Sequence, residues 1–271
     1  MLVDSHCHLD AAEFDADREA VLRRARAAGV MRQIVPAVEA AGWPKLRAVC
    51  ASAPGLYPAY GLHPVALPAH RPQHLAELRE WIERERPCAV GECGLDYFVE
   101  ALDRNAQQRW FEAQLALARD HDLPVIVHAR RAVDAVIATV RRIAGTAADG
   151  VVRGVVHSFG GSAEQARQLW RLGILVGLGG PVTYPRANRL RALAATMPLE
   201  FLLLETDAPD QPDAGIRGQR NEPARLPQVL TAIAELRGMP ADELAAVTTR
   251  NAERLFRLPP AGTLPAPAAA G

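Results

Sequence analysis

Eight short apolar runs alternate along this chain with longer amphipathic stretches, and that alternation restricts the fold more than any other feature. The runs are Leu2–Ser5, Gln33–Pro36, Tyr57–Gly61, Cys88–Gly91, Pro124–Val127, Gly154–Val156, Gly173–Gly177 and Phe201–Leu204. They are rich in Val, Ile and Leu with few polar breaks, as strands buried on both faces are. Helix periodicities lie between them. Asp17–Ala28 carries Val21, Leu22 and Ala25 on one stripe and stops at Gly29. His74–Arg86 and Asn105–Asp120 read similarly, and Ser162–Leu172 opens on an N-capping serine and stops at Gly173. Strands that alternate with helices form a parallel sheet with crossover connections. Eight such units in about 250 residues are the size of a (β/α)8 barrel. The rival, a doubly wound open sheet, wants a GxGxxG turn after an early strand, and none is present. The spacing predicts an α/β chain folded as a single-domain (β/α)8 TIM-type barrel over residues 1–258. The remainder, 259–271, reads PPAGTLPAPAAAG and is expected to be a disordered tail.

Composition closes off several functions. Of 271 residues, 49% are hydrophobic, and Lys+Arg 31 balance Asp+Glu 31, so disorder is excluded as the main state. The same balance excludes an overall basic coat, so any polyanion site is a local cluster. Aromatics make up only 5%, which argues against a long base-stacking platform. Cys7, Cys50, Cys88 and Cys93 form no CxxC pair and read as small buried hydrophobes of a reducing compartment. The opening MLVDSHCHLD has no basic n-region or apolar h-region, so a signal peptide is not expected. No apolar run approaches the ~18 residues of a membrane span, and the expected location is cytoplasmic.

In a (β/α)8 barrel, catalytic groups stand at the carboxyl ends of the strands. Five of the eight histidines fall there: His6 and His8 after the first run, then His63, His128 and His157. His70, His74 and His121 fall in helix or loop sequence. A lone strand-end histidine reads as a hydrogen-bonded structural residue, but five at one end of one barrel do not. Glu92 and Asp207 complete the pattern, each after a fully apolar run, where an unpaired carboxylate is costly and needs a cation. Strand alternation sends His6 and His8 to one side, about 6.6 Å apart along the chain, and Cys7 to the other. Imidazoles with a carboxylate suit Zn²⁺, Mn²⁺, Fe²⁺ or Co²⁺. Six donors are too many for one tetrahedral ion and suit two. The expected split is His6, His8, Glu92 and Asp207 around one ion, and Glu92, His128 and His157 around the other, with Glu92 as the bridge.

These stretches together resemble the TatD-type metal-dependent deoxyribonuclease family of amidohydrolase-like barrels. The matching segments are DSHCHLD (4–10), GLHP (61–64), GECGLDY (91–97), LPVIVHAR (123–130), HSFGGS (157–162), LLLETDAPD (202–210), RGQRNEPARL (217–226) and TTRNAERLF (248–256). The resemblance runs from Val3 to Phe256 in family order. It implies a divalent-metal barrel with ligands at His6, His8, Glu92, His128, His157 and Asp207, and hydrolysis of phosphodiester bonds in DNA. Two positions depart from the family: Ser158-Phe159-Gly160 stands where Cys-Phe-Ser is usual, and Asp210 stands where an aromatic is usual. The sole lysine, Lys45, follows Trp43-Pro44 in helix-like sequence, away from any strand end, which argues against a lysine-bridged metal pair and for a glutamate bridge.

The expected chemistry is metal-assisted hydrolysis by two divalent ions (Mg, Mn or Zn), most simply a DNA exonuclease. Asp207 and Glu92 are the expected catalytic carboxylates, and Asp207 steers or deprotonates the water. His63 is expected at the scissile phosphate or leaving oxygen. Arg130 and Arg220 are expected to grip phosphates, with Arg131 a weaker candidate. Glu205 is expected behind a ligand histidine, with a buried paired acid as the alternative, and Asn221 and Glu222 are expected to fix the loop after the last strand. The alternatives are hydrolysis of another ester or amide bond on the same two ions, and a non-enzymatic metal-binding barrel. DNA is the expected partner, with no membrane, no obligate protein partner and a monomeric state.

Overall fold

A computed structural model of the chain describes residues 1–144 and 152–259. Eight strands, β1 (Leu2–Asp4), β2 (Val30–Pro36), β3 (Leu56–Tyr60), β4 (Ala89–Asp96), β5 (Val125–Arg130), β6 (Gly154–Val156), β7 (Ile174–Leu178) and β8 (Leu202–Leu204), run parallel in sequence order. The sheet almost closes on itself. β8 meets β1 through backbone bonds just past the strands: Ser5 N to Leu204 O (3.0 Å), Asp207 N to His6 O (2.9 Å) and His8 N to Ala208 O (2.8 Å). This is the (β/α)8 barrel that the alternation predicts. The expected ends of two strands fall short. The β4–β5 ladder continues through Cys93↔Val127 to Asp96↔Arg130, because polar side chains at a barrel mouth do not break a strand. Of the tail expected at 259–271, residues 260–271 lie outside the described residues.

Nine helices accompany the described strands: α1 (Arg18–Ala27), α2 (Trp43–Ala51), α3 (Gln73–Glu85), α4 (Arg104–Asp120), α5 (Val133–Ala144), α6 (Ala163–Arg171), α7 (Asn188–Thr196), α8 (Leu226–Arg237) and α9 (Ala241–Phe256). Ser162 caps α6 as its sequence suggests: its Oγ accepts from Gln165 N (3.1 Å), while Gln165 Oε1 accepts from Ser162 N (2.8 Å). Among the described residues no helix is long and apolar enough to cross a membrane.

The barrel interior is filled by one apolar side chain from each strand: Val3, Ile34, Ala59, Ala89, Ile126, Val155, Leu175 and Leu203. Leu255 and Phe256 of α9 pack onto this layer, and Asn251 donates to Leu202 O (3.0 Å), so α9 covers the amino ends of the strands. A filled centre and a covered base leave the carboxyl ends as the place where polar side chains converge. A larger apolar cluster joins the outer face of the sheet to the helices.

Candidate metal centre

Asp4 is buried at the end of β1 and staples the chain that leaves β1 to the chain that leaves β8. Its Oδ1 accepts from His6 N (3.2 Å) and Thr206 N (3.0 Å), and its Oδ2 from Thr206 Oγ1 (2.6 Å). Asp207 follows with a left-handed φ of 57°, a conformation uncommon outside glycine, and turns its carboxylate into the mouth. His6, His8 and Asp207 thereby meet the β4 residue Glu92.

Four donor atoms gather around one point. His6 Nε2 lies 3.1 Å from His8 Nε2, 3.2 Å from Glu92 Oε2 and 3.4 Å from Asp207 Oδ1. His8 Nε2 lies 3.4 Å from Glu92 Oε2 and 3.7 Å from Asp207 Oδ1. Ligands held at roughly 2.1 Å around a tetrahedral ion stand about 3.4 Å from one another. The set therefore has the spacing of a coordination shell. His8 Nδ1 faces Pro36 O at 3.2 Å, which holds one ring proton there, so that Nε2 is the nitrogen that would be free to ligate once its own proton is displaced.

The other oxygen of Glu92 faces a second group. Oε1 lies 2.6 Å from His157 Nε2, 3.0 Å from His128 Nδ1 and 3.0 Å from His63 Nε2. His128 Nδ1 and His157 Nε2 are 3.4 Å apart. The three rings are not equivalent. His63 Nδ1 accepts from Val65 N (3.1 Å), so the neutral ring carries its proton on Nε2 and donates to Glu92. His128 Nε2 faces Asp96 Oδ2 at 3.0 Å, which puts its proton on that side and frees Nδ1. The two oxygens of Glu92 thus face His6 and His8 on one side and His63, His128 and His157 on the other, with His157 also grouped with His6 and Asp207.

The electrostatics favour a cation. Burial opposes the charge on Glu92, yet the surrounding His157, His63 and His6 hold its carboxyl well below the usual range. Burial likewise opposes charge on His157 and His8, but Glu92 lifts them to about 10 and about 9. His6 is pushed down to about 4 by burial and by the neighbouring His157. In the bare protein, protons on His8 and His157 balance the carboxylates; a divalent ion would replace them.

Several expected residues sit where the sequence puts them, and some do not. His63, Arg130 and Arg131 line the cleft above the centre, as do Gly160 and Gly161. Arg220 is absent from that lining. It stacks on Phe14 at 4.8 Å, donates to Glu13 O and pairs with Asp17 at 2.8 Å, so its guanidinium is committed to the segment that leads into α1. Glu205 does not back a ligand histidine. Its Oε1 accepts from Ser158 N and its Oε2 from Ser5 Oγ (3.5 Å), while His6 Nδ1 and His157 Nδ1 have no hydrogen-bond partner among the described residues. Burial lifts Glu205 to about 8. Its carboxylate needs Gly177 beside it, because a Cβ there would lie 2.0 Å from Oε2. Asn221 does fix the loop after β8, donating to Thr206 O (2.9 Å) and Asp210 O (2.8 Å). Lys45, in the first turn of α2, pairs with Asp15 (2.8 Å).

Three positioning groups escaped the sequence reading. Asp96 stands four residues after Glu92 on one strand, hence on the same face, and that period-two spacing was a usable signal. Asp4 precedes His6 by two and carries the same signal. Gln211 carries none: its Nε2 donates to Asp207 Oδ2 (2.6 Å) and Ser158 Oγ (2.6 Å) from a loop that only the folded chain brings back.

The family described as TatD related DNase matches residues 3–257. The chain is 44% identical over 260 residues to the uncharacterized metal-dependent hydrolase YjjV of Escherichia coli K12, covering 95% of this chain and 98% of that protein. It is 32% identical over 267 residues to a protein of Pantoea vagans named 3'-5' ssDNA/RNA exonuclease TatD, covering 95% and 100%. The crystal structure of E. coli YjjV superposes with a TM-score of 0.89 at 42% identity, covering 95% of this chain and 98% of that one.

Proposed function

The chain belongs to the TatD-related DNase family of metal-dependent hydrolases, and from that premise we propose that it cleaves phosphodiester bonds of DNA, working inward from a strand end on two divalent ions. The observation that carries the reading is Glu92, a buried carboxylate whose two oxygens face two separate donor groups. His6, His8, Glu92 and Asp207 would hold one ion, and Glu92, His128 and His157 the other. When bound, such ions supply Lewis-acid polarisation of a phosphoryl oxygen and a water acidified towards ~7.

The protein's own groups do the rest. Gln211 and Ser158 clamp Asp207 Oδ2 from outside, which aims Oδ1 at His6 and His8. Asp207 takes the proton of the attacking water at Oδ2, where the Ser158 hydroxyl can turn to accept it. The His63 Nε2–H is held by Glu92 and its Nδ1 by Val65 N; with Glu92 engaged by cations, that N–H would be free to hydrogen-bond the scissile phosphate or leaving oxygen. The cleft encloses about 1320 Å³, larger than a typical small-molecule pocket and open enough for a chain end.

The test is hydrolysis of end-labelled single- and double-stranded DNA, RNA and small diesters with Mg²⁺, Mn²⁺ or Zn²⁺, using wild type and Glu92→Ala. Stepwise shortening of DNA that Glu92→Ala abolishes supports the reading. Faster turnover of non-nucleotide esters or amides would overturn it.

A further inference from the structure

On the β4–β5 side of the mouth, Tyr97 N donates to Arg130 O (2.8 Å), which lays the turn after β4 against the end of β5. Phe98 lies in that turn, 43% exposed. Two guanidiniums stack on its ring: the Cζ of Arg130 is 3.7 Å and that of Arg131 4.7 Å from the centroid. Arg104 stacks on the neighbouring Tyr97 at 4.6 Å. Among the described residues none of these three arginines pairs with a carboxylate, whereas Arg220 and Arg225 pair with Asp17 and Asp213. The opposite wall of the cleft is acidic, with Asp10, Glu13 and Asp210.

We propose that Phe98, Arg130 and Arg131 form a subsite for single-stranded nucleic acid, with a base stacked on the Phe98–guanidinium platform and flanking phosphates on the two arginines. The proposal rests on the phosphodiester reading above and says where the strand lies. Guanidiniums match phosphate oxygens in fork geometry, and arginines with no internal carboxylate are free to do so. An exposed ring accepts any base face, which requires that the base be unstacked, hence a single strand. The acidic wall repels phosphates, so the strand leaves the centre over Phe98. The platform is joined to the centre by one side chain: Asp96 Oδ1 accepts from Phe98 N (2.9 Å) and Val99 N (3.1 Å), while its Oδ2 holds His128.

The test is fluorescence anisotropy of a labelled oligothymidylate of about ten nucleotides. It is titrated with the metal-stripped full chain in EDTA, where hydrolysis does not proceed. Phe98→Ala is expected to weaken binding about tenfold and Phe98→Trp to hold it. An Arg130→Gln/Arg131→Gln pair is expected to lower the log–log salt slope by about 1.4, two phosphate contacts of a single strand. Melting temperatures matching wild type show that the variants fold. No binding by wild type, or equal binding by Phe98→Ala and the arginine pair, overturns the subsite. Shortening of the same oligothymidylate by the metal-loaded wild type tests the phosphodiester reading separately. Its absence with oligonucleotide binding intact would sink that reading and leave the subsite standing.

Discussion

Replacing Glu92 with glutamine keeps the shape of the side chain and removes its charge. Five imidazole nitrogens lie within hydrogen-bonding reach of its two oxygens, at 2.6–3.4 Å, and Glu92 itself is 1% exposed. The carboxylate is what lifts His8 and His157 against their own burial, so its loss strands a proton-bearing pair without a counter-charge. Removing one partner of such a buried arrangement costs roughly 3–5 kcal/mol. For 271 residues the unfolding entropy is about 0.57 kcal/mol/K, so the metal-free melting temperature should fall by about 5–9 °C. Metal uptake should fall as well, because an amide oxygen cannot bridge two cations as an anion does. The assay is a thermal melt in EDTA, a calorimetric titration with Mn²⁺ or Zn²⁺, and turnover of DNA in parallel. A Glu92→Gln protein that melts with wild type and binds the same number of ions would refute the assignment of Glu92 as the shared carboxylate.

Asp96→Asn removes the charge that orients His128, and metal affinity should drop by roughly 10–100-fold while the chain stays folded, read by the same titration. Gly177→Ala drives a Cβ into the Glu205 carboxylate, and overpacking of that kind costs about 1–3 kcal/mol. Its melting temperature should fall by about 2–5 °C, and an unchanged melt would show that the strand yields. In the metal-free protein, burial lifts Asp4 to about 7 and Glu205 to about 8, and Glu92 outweighs burial to lift His8 to about 9 and His157 to about 10. Groups raised in the fold stabilise it below their unfolded values and lose that contribution as pH rises through the folded ones. Metal-free stability should therefore decline from about pH 7 towards 10, and the melting-temperature gain on adding metal should be larger at pH 8.5 than at pH 6. A gain that is flat or reversed across that range would show that cations and protons do not compete at these side chains.

The strands, their order and the histidines and carboxylates that gather at the strand ends were open to the sequence because they depend on local pattern. A run such as Leu202–Leu204 followed by Glu205 and Asp207 announces a buried strand that ends in charge, and a parallel barrel puts every such end at one rim. His6 and His8, two apart, announce one face. What stayed hidden depends on which distant segments touch. Arg220 reads like Arg130, yet it is held by Asp17 and Phe14 across about two hundred positions. Glu205 finds Ser158 and Ser5 rather than a ring, because the packing of β6, β7 and β8 fixes which neighbours its buried carboxylate can reach. Gln211 and Phe98 acquire their surroundings only from loops laid against other strands. Side-chain periodicity is a property of a few consecutive residues, whereas the partner that takes a proton, holds a carboxylate or leaves an arginine unpaired is chosen through space, and only the closed barrel makes that choice.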